Sequence, residues 1–433
     1  MELNVAAGFL GMMWLAAAAG LPLPLLMESV KASGFQLGLL SGVRQFAMLA
    51  QLPSAFLVER LLRRKPYWAT AALIHRAIWM VPALLPVVLP HRRDLWPVII
   101  IVSLGVSEVL GNAGTAPWFS WMADLVPPHR AGRFWGARQR VLSIGLLVSA
   151  FIYGLVLDEF SGRAWIGYQI VFTAAALFGM ADILLHLHVH EPAPVRAQVN
   201  TDFWRRIRSP LADRDFRRMT LAMGFWAAAV AMPGYFMGLP SFFSMVYLKE
   251  AFGSSYGQAS WIFIASALGA ILWTPRIGRW MDRYGARRTL MGLMAVGPFF
   301  TLAWLFVSPR RFSFFGWLEA PQPIVLLSLA SLGVGGAYAG VTLCQVRLTQ
   351  VFTGQAGRTV AMAVHWSLVG LIGTCGALGA GWIKDHLGRS GAPLLDGWHG
   401  SSYFQILVLI HVALAWGVAL PLMGRIAEPH PER

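Results

Sequence analysis

Two short stretches of this chain set a carboxylate beside a cluster of cations. One runs from Ala55 through Glu59 and Arg60 to Arg63, Arg64 and Lys65. The other runs from Gly278 through Asp282 and Arg283 to Gly285, Arg287 and Arg288. Glu59 and Asp282 lie 223 residues apart, about half of the 433-residue chain. A carboxylate at a helix end accepts charge-assisted hydrogen bonds from an arginine on a neighbouring helix end. One partly exposed pair is worth about 1 kcal/mol or less, but several together bias two nearly balanced states. A second echo pairs the loop from Asp124 to Arg133 with the loop ending in Ala356, Gly357 and Arg358. Its two Ala-Gly-Arg triplets are 225 residues apart. Two loops repeated at one offset point to a duplicated molecule.

A different chemistry is suggested by three ionisable residues inside apolar runs: Arg44, Arg76 and Glu108. Charges at membrane depth are costly and mark function or a partner. At about 1.5 Å per residue, Arg76 and Glu108 sit roughly 20 Å from one boundary and Arg44 roughly 14 Å. The expectation is a buried network joining Glu108 to Arg76, Arg44 or both. Two readings stand. In one the network locks the first half. In the other Arg44 holds an anionic group and Glu108, which unlike arginine can lose its proton, carries charge. Asn112, one turn from Glu108, shares its face. The corresponding positions of the second half, near Leu268, Phe299 and Leu332, are apolar. Its polar candidates are Gln345 and His365, a residue type that titrates near neutral pH.

Other residues read as structural. Asp158 and Asp182 lie near span ends, where water anchors them. His186, His188 and His190 alternate around a helix and give no metal set. Cys344 and Cys375 sit inside apolar runs, with no disulfide or ligand spacing. No cofactor motif is present, and none of the four lysines follows a Walker-type glycine run.

The elements that must position these residues follow from composition. The chain is 57% hydrophobic and 13% charged, against roughly 25% charged for a soluble domain. Most of its surface therefore faces lipid. Twelve apolar runs are expected, near 5–27, 35–58, 66–89, 95–122, 137–157, 165–188, 219–247, 258–278, 288–308, 322–346, 359–383 and 402–424. Each is long enough to cross as a helix, and lipid forces helices because backbone groups must be satisfied within the segment. Alternate loops divide the 35 basic residues 24 to 9, with two inside spans. That bias places both termini in the cytoplasm. It also disposes of nucleic acid as the reason for a net charge of +15, because the cations sit in short loops rather than on one face. The start, Met1 to Asn4, lacks a basic region of signal-peptide type, so the first run is expected to stay in the membrane. Residues 189–218 carry prolines and seven arginines and read as a linker. Trp204 with Arg205, Arg206 and Arg208 suggests a short amphipathic helix on the inner leaflet; a solvated linker is the alternative.

With these loops, twelve spans and a central linker, the chain resembles the major facilitator superfamily. That family's hallmark, Gly-x-x-x-Asp-Arg-x-Gly-x-Arg-Arg, is matched by Gly278, Asp282, Arg283, Gly285, Arg287 and Arg288. The first copy departs from it, with Ala55, Glu59 and Leu62 in place of Gly, Asp and Gly. The resemblance implies an all-α membrane protein of two six-helix bundles built from inverted repeats, covering 1–188 and 219–433 around the 189–218 linker. It implies a monomeric, cofactor-free secondary transporter that moves a small solute by alternating access about a midplane site. Glu59, Arg60, Asp124, Arg133, Gly278, Asp282, Arg283, Arg287 and Arg288 would form its cytosolic gate, latched in the outward-facing state. The substrate and coupling residues would come from Arg44, Arg76, Glu108, Asn112, Gln345 and His365. Arginine-rich usage suggests a bacterial inner membrane. A non-transporting receptor on the same scaffold is the competing reading, and an enzyme is not expected.

Proline and glycine suggest where helices bend. Pro22 and Pro24 kink the end of the first run, and Pro233 and Pro240 the seventh. Gly370, Gly373, Gly376 and Gly379 line one side of the eleventh, where close packing or sliding both fit. Residues 143–149 lack the proline-glycine motif of the family's proton-coupled drug exporters.

Overall fold

The protein is described here by a computed structural model, which covers residues 2–58, 60–61, 63–125, 128–192, 203–236, 238–314, 318–352, 358–388, 393–395 and 398–427. Nearly all of it is helix. In chain order the first half holds α1 (Glu2–Ala19), α2 (Pro22–Ser29), α3 (Gly34–Phe46), α4 (Gln51–Val58), α5 (Arg64–Ala77), α6 (Val81–Val88), α7 (Trp96–Leu125), α8 (Pro128–Glu159) and α9 (Ala164–His186). The connector α10 (Phe203–Ala212) leads to α11 (Arg214–Ala231), α12 (Phe242–Phe252), α13 (Tyr256–Tyr284), α14 (Ala286–Thr301), α15 (Gln322–Phe352), α16 (Arg358–Leu387), α17 (Ser402–Leu414) and α18 (Leu420–Gly424). Among the described residues, 10 stretches are long and apolar enough to cross a membrane, from Glu2–Ser29 to Ser402–Gly424. Two further stretches are interrupted. A short 3-10 segment, Ala47–Ala50, joins α3 to α4.

The other interruption corrects the expectation of a continuous seventh helix. Residues 219–247 do not form one helix kinked at its prolines. α11 stops at Ala231, a small hairpin of β1 (Tyr235–Phe236) and β2 (Leu239–Pro240) follows, and α12 resumes at Phe242. Pro233 and Pro240 cannot donate to a helix ladder. Gly234 and Gly238 adopt φ of 81° and 82°, a region that costs glycine nothing. A second hairpin, β3 (Arg311–Phe314) with β4 (Leu318–Pro321), lies between α14 and α15.

Asn4 packs beside Met122 and His186, and Arg425 beside Arg218. Asn4 and Arg425 thus lie beside the two helix ends that flank the connector between the halves, here called the terminal end; the opposite one is the far end. Packing differs between the two. At the far end a single buried cluster runs through both halves of the chain, from Trp14, Leu26 and Trp79 to Phe243, Trp304 and Phe404. At the terminal end the clusters are separate. Trp68, Trp121, Met122 and Ile183 form one. Phe216, Met219, Leu290 and Leu348 belong to another, which α4 joins through Ala55. Lipid gives helices little hydrophobic reason to associate, so close backbone approach must do it. The glycines of α16 serve that purpose. A Cβ on Gly376 would run into α11 at Ala228, and one on Gly370 into α3 at Gln45.

The connector α10 is helical, as its pattern suggests. Ile207 and Leu211 pack on the second-half core, Trp204 is exposed, and Arg206 lies over the Phe56 ring of the first half at 5.0 Å.

Candidate functional site

Buried charge is concentrated in the first half. Arg44 on α3 donates from Nε to Glu108 on α7 at 3.0 Å and from Nη2 to the Ala18 carbonyl at 2.6 Å. Its guanidinium also lies over the rings of Phe236 and Phe242, at 4.8 and 5.4 Å. Arg44 is therefore held by both halves of the chain. Asn112 donates to the Glu108 carbonyl at 2.9 Å and accepts from Gln51 at 2.8 Å. Three of the expected residues, Arg44, Glu108 and Asn112, thus come together.

Arg76 does not join Glu108. It pairs with Asp182 on α9 at 3.6 Å, lies over the Trp14 ring at 3.5 Å and donates to His75 Nε2 at 3.2 Å. His75 then donates from Nδ1 to the Ser107 carbonyl at 2.7 Å. Asp182 is not the water-anchored residue expected near a span end; it is buried. Glycine creates the room. A Cβ on Gly11 would come within 2.6 Å of Asp182 Oδ2, and one on Gly179 within 2.8 Å of Arg76 Cδ. α1 and α9 can therefore close around a charged pair.

From Asp182 a chain of polar contacts runs to the terminal end. His186 Nδ1 lies 3.0 Å from Asp182 Oδ1 and from its carbonyl oxygen. Asn4 donates from Nδ2 to His186 Nε2 at 3.0 Å. Arg138 donates from Nε to Asn4 Oδ1 at 2.8 Å. These contacts fix one neutral tautomer of His186, with the proton on Nδ1. A cavity of about 370 Å³ lies against this wall, and all its lining residues fall between Gly8 and His186. Arg76, Glu108, Asn112, Arg138, Asp182 and His186 line it together with Trp14, Trp68 and Trp118. It lies within the first half, not between the halves.

The sequence reading missed Asn4, His75, Arg138 and the roles of Asp182 and His186. A usable signal was present for the last two: positions i and i+4 share a helix face. Asn4 was visible as a lone amide at the start of an apolar run.

His365 and Gln345 also meet, in the second half. Gln345 donates from Nε2 to His365 Nε2 at 2.8 Å, and Thr220 Oγ1 lies 2.9 Å from Nδ1. An amide nitrogen donates and never accepts, so Nε2 is the acceptor and the ring is neutral. A second histidine, His411, sits 2.9 Å from the Tyr338 hydroxyl and from the Ala229 carbonyl. Both histidines are fully buried, each bonded within the second half to partners of its own.

Among the described residues, those expected to gate the terminal end do not join across the halves. Glu59 lies outside the described residues, as does the Arg133 side chain. Arg60 is exposed. Asp124 pairs with Arg64 at 2.6 Å, within the first half, and the Arg64 amide donates to Glu191. Among the described residues Asp282 has no ion pair, and Gly278 has open space beside it. Arg283 covers Tyr284, and Arg288 is exposed. Arg287 donates to the Gly424 carbonyl at 2.6 Å, closing the end of α18.

Cross-half polar contacts gather at the far end instead. Asp158 accepts from the amides of Tyr256 and Gly257, both at 2.7 Å. Asp385 accepts from those of Gly34 and Phe35, at 2.5 and 2.7 Å. Lys249 pairs with Glu28 at 3.3 Å, and the Tyr168 and Tyr256 hydroxyls lie 3.0 Å apart.

The family model of the Major Facilitator Superfamily matches residues 3–247. Solved structures with similar folds include a point mutant of the nucleoside transporter NupG, at TM-score 0.69 and 15% identity, covering 98% of each chain. A bacterial homologue of the human lysosomal transporter Spinster, inward-facing and unoccupied, has TM-score 0.58 and 18% identity over 98% of this chain and 92% of that one. A bacterial homologue of the iron transporter ferroportin, also inward-facing, has TM-score 0.58 and 12% identity over 98% and 97%. No curated protein sequence matches the chain.

Proposed function

The chain belongs to the Major Facilitator Superfamily and is a secondary transporter, and from that premise we propose that two six-helix bundles alternate access to a small-solute site. The bundles are 1–188 and 219–433, joined by 189–218. α3 with α4, and α11 with α12, supply the second and seventh of twelve crossings. Both termini face the cytoplasm of a bacterial cell, a reading that the bias of the loop cations supports. The terminal end is then the cytosolic one. Solute and bilayer are the partners, the transporter works as a monomer, and it carries out no enzymatic reaction.

One observation supports alternation above the rest. The halves share a buried core at the far end and hold separate cores, bridged by α4, at the terminal end. The seam between α8 and α13 has the same polarity. Ala150, Phe263 and Ala267 are buried together, with Leu146 and Ile264 against them. Closer to the terminal end, Gln139 and Thr274 are exposed. This polarity supports a transporter closed to the outside and opening inwards. Glu108, beside the cavity and paired with Arg44, is the candidate proton carrier. Asp282 and its neighbours would latch the cytosolic side in the opposite state.

Spin labels test the cycle without a known solute. One pair is placed at Gln139 and Thr274, the other at the exposed far-end positions Gly162 and Ala251. The two distances are expected to change in opposite senses between populations in a bilayer. Two distances that stay fixed and single-valued across pH and membrane potential mean a static scaffold of receptor type and remove the proposal.

A further inference from the structure

The cavity of the first half has an electrostatic asymmetry. Arg44 is matched by Glu108 and Arg76 by Asp182. Arg138 also lines the cavity, yet among the described residues it has no carboxylate at ion-pair distance. A cation partly removed from water with no carboxylate in contact, only the more distant Asp182 acting on it, is costly, and this one is built in. Asn4, itself fully buried, holds Arg138 Nε at 2.8 Å. The Trp118 and Trp135 rings flank the guanidinium at 5.3 and 5.6 Å. Gly8 leaves room for its Nη2, which a Cβ there would approach to 3.0 Å. Its orientation is thus fixed on three sides by groups that carry no negative charge.

Aromatic rings form another part of the wall. Trp68 stands edge-on to His186 at 5.3 Å between centroids, and Trp118 lies beside Phe119 at 5.0 Å. At about 370 Å³ the space is at the small end of ligand sites, which span roughly 300–1,000 Å³. It suits one or two fused rings.

We infer that the cavity binds an organic monoanion with a flat apolar body, its anionic group on the Arg138 guanidinium and its body against Trp68 and Trp118. This rests on reading the cavity as the transporter's solute site. Two of the five fixed charges, Glu108 and Asp182, are already matched by arginines. An incoming carboxylate would bring the group to neutrality, whereas a cation would add to an existing surplus. Guanidinium and carboxylate also fit two-pronged, which favours a planar oxyanion. The sequence candidate for holding an anion, Arg44, is already engaged by Glu108 and a carbonyl, and the role passes to Arg138.

The test is calorimetric titration of the purified full chain with benzoate and 1-naphthoate, each against its neutral amide, and with benzylammonium. A hydrogen bond to a charged group contributes about 1.5–3 kcal/mol, so carboxylates should bind roughly tenfold or more tighter than amides. Benzylammonium should bind more weakly than either. Arg138→Gln should abolish the preference for carboxylate and leave amide binding unchanged, and Arg138→Lys should keep part of it. If Arg138→Gln does not fold, the ratio in the unaltered protein decides, with Trp118→Ala expected to weaken acid and amide alike. Carboxylates that bind no better than amides, or not at all, overturn the inference. The spin-label distances are independent of this outcome. Alternation without carboxylate preference rejects the anion site alone, and carboxylate preference without alternation rejects the transport cycle.

Discussion

Asp158 and Asp385 each cap a helix that begins in the other half of the chain. Asp158, near the end of α8, receives the first amides of α13; Asp385, near the end of α16, receives those of α3. The partners repeat as well. Ser33 with Gln36, and Ser255 with Gln258, form capping boxes 222 residues apart. Gly154 and Gly381 precede the two aspartates by four residues, and a Cβ at either would strike the facing helix. The far-end seal is therefore made twice by the same device, as a duplicated molecule allows. A carboxylate at a helix N-terminus satisfies orphan amides and meets the positive end of the dipole.

Asp158→Asn and Asp385→Asn should each weaken that seal by about 1 kcal/mol. The double variant should shift the Gly162–Ala251 spin-label distance towards longer values more than either single change. Unaltered distance distributions in the double variant mean that packing alone closes the far end.

Glu108→Gln leaves the Arg44 guanidinium buried without its counter-charge. Breaking a buried pair from one side costs about 3–5 kcal/mol, with the lower part of that range expected because Glu108 retains some exposure. A fall in the thermal unfolding midpoint in detergent should report it. Adding Arg44→Gln should recover part of the loss, since both charges are then gone. No recovery in the double variant separates the two side chains energetically despite their 3.0 Å contact.

Gly11→Ala and Gly278→Ala should differ. The first drives a methyl towards Asp182 Oδ2, and overpacking of this kind costs about 1–3 kcal/mol. The second meets open space inside a helix, where alanine is favoured over glycine by roughly 0.5–1 kcal/mol. Thermal melts should therefore fall for Gly11→Ala and hold or rise for Gly278→Ala. If α13 must approach another helix closely when the terminal end shuts, Gly278→Ala should also favour the long Gln139–Thr274 distance.

His365→Leu strands the Gln345 amide and the Thr220 hydroxyl in the second-half core. The expected loss is about 1–2 kcal/mol, read again as a lower melting midpoint. Gln345→Leu added to it should restore part of the stability, with the Thr220 hydroxyl still lacking its partner. A double variant that stays as unstable as the single one places the cost elsewhere.

Composition alone identified a helical membrane protein with long apolar crossings, because lipid allows a spanning chain few other solutions. Loops that repeat Glu59 and Asp282 pointed to a duplication, and the cost of burying Arg44, Arg76 and Glu108 announced that each needed a partner. Which partner was decided by tertiary structure alone. Arg76 took Asp182 and Glu108 took Arg44 because α9 reaches Arg76 through the gaps left by Gly11 and Gly179. A depth estimate measures position along a helix and contains nothing about its rotation or neighbours. Arg138 shows the same limit from the other side. In the sequence it is one of many loop cations; in the fold, Asn4 and two tryptophans aim it at a cavity. The break between α11 and α12 and the location of that cavity inside one half likewise depend on which surfaces meet, and hydropathy does not encode that.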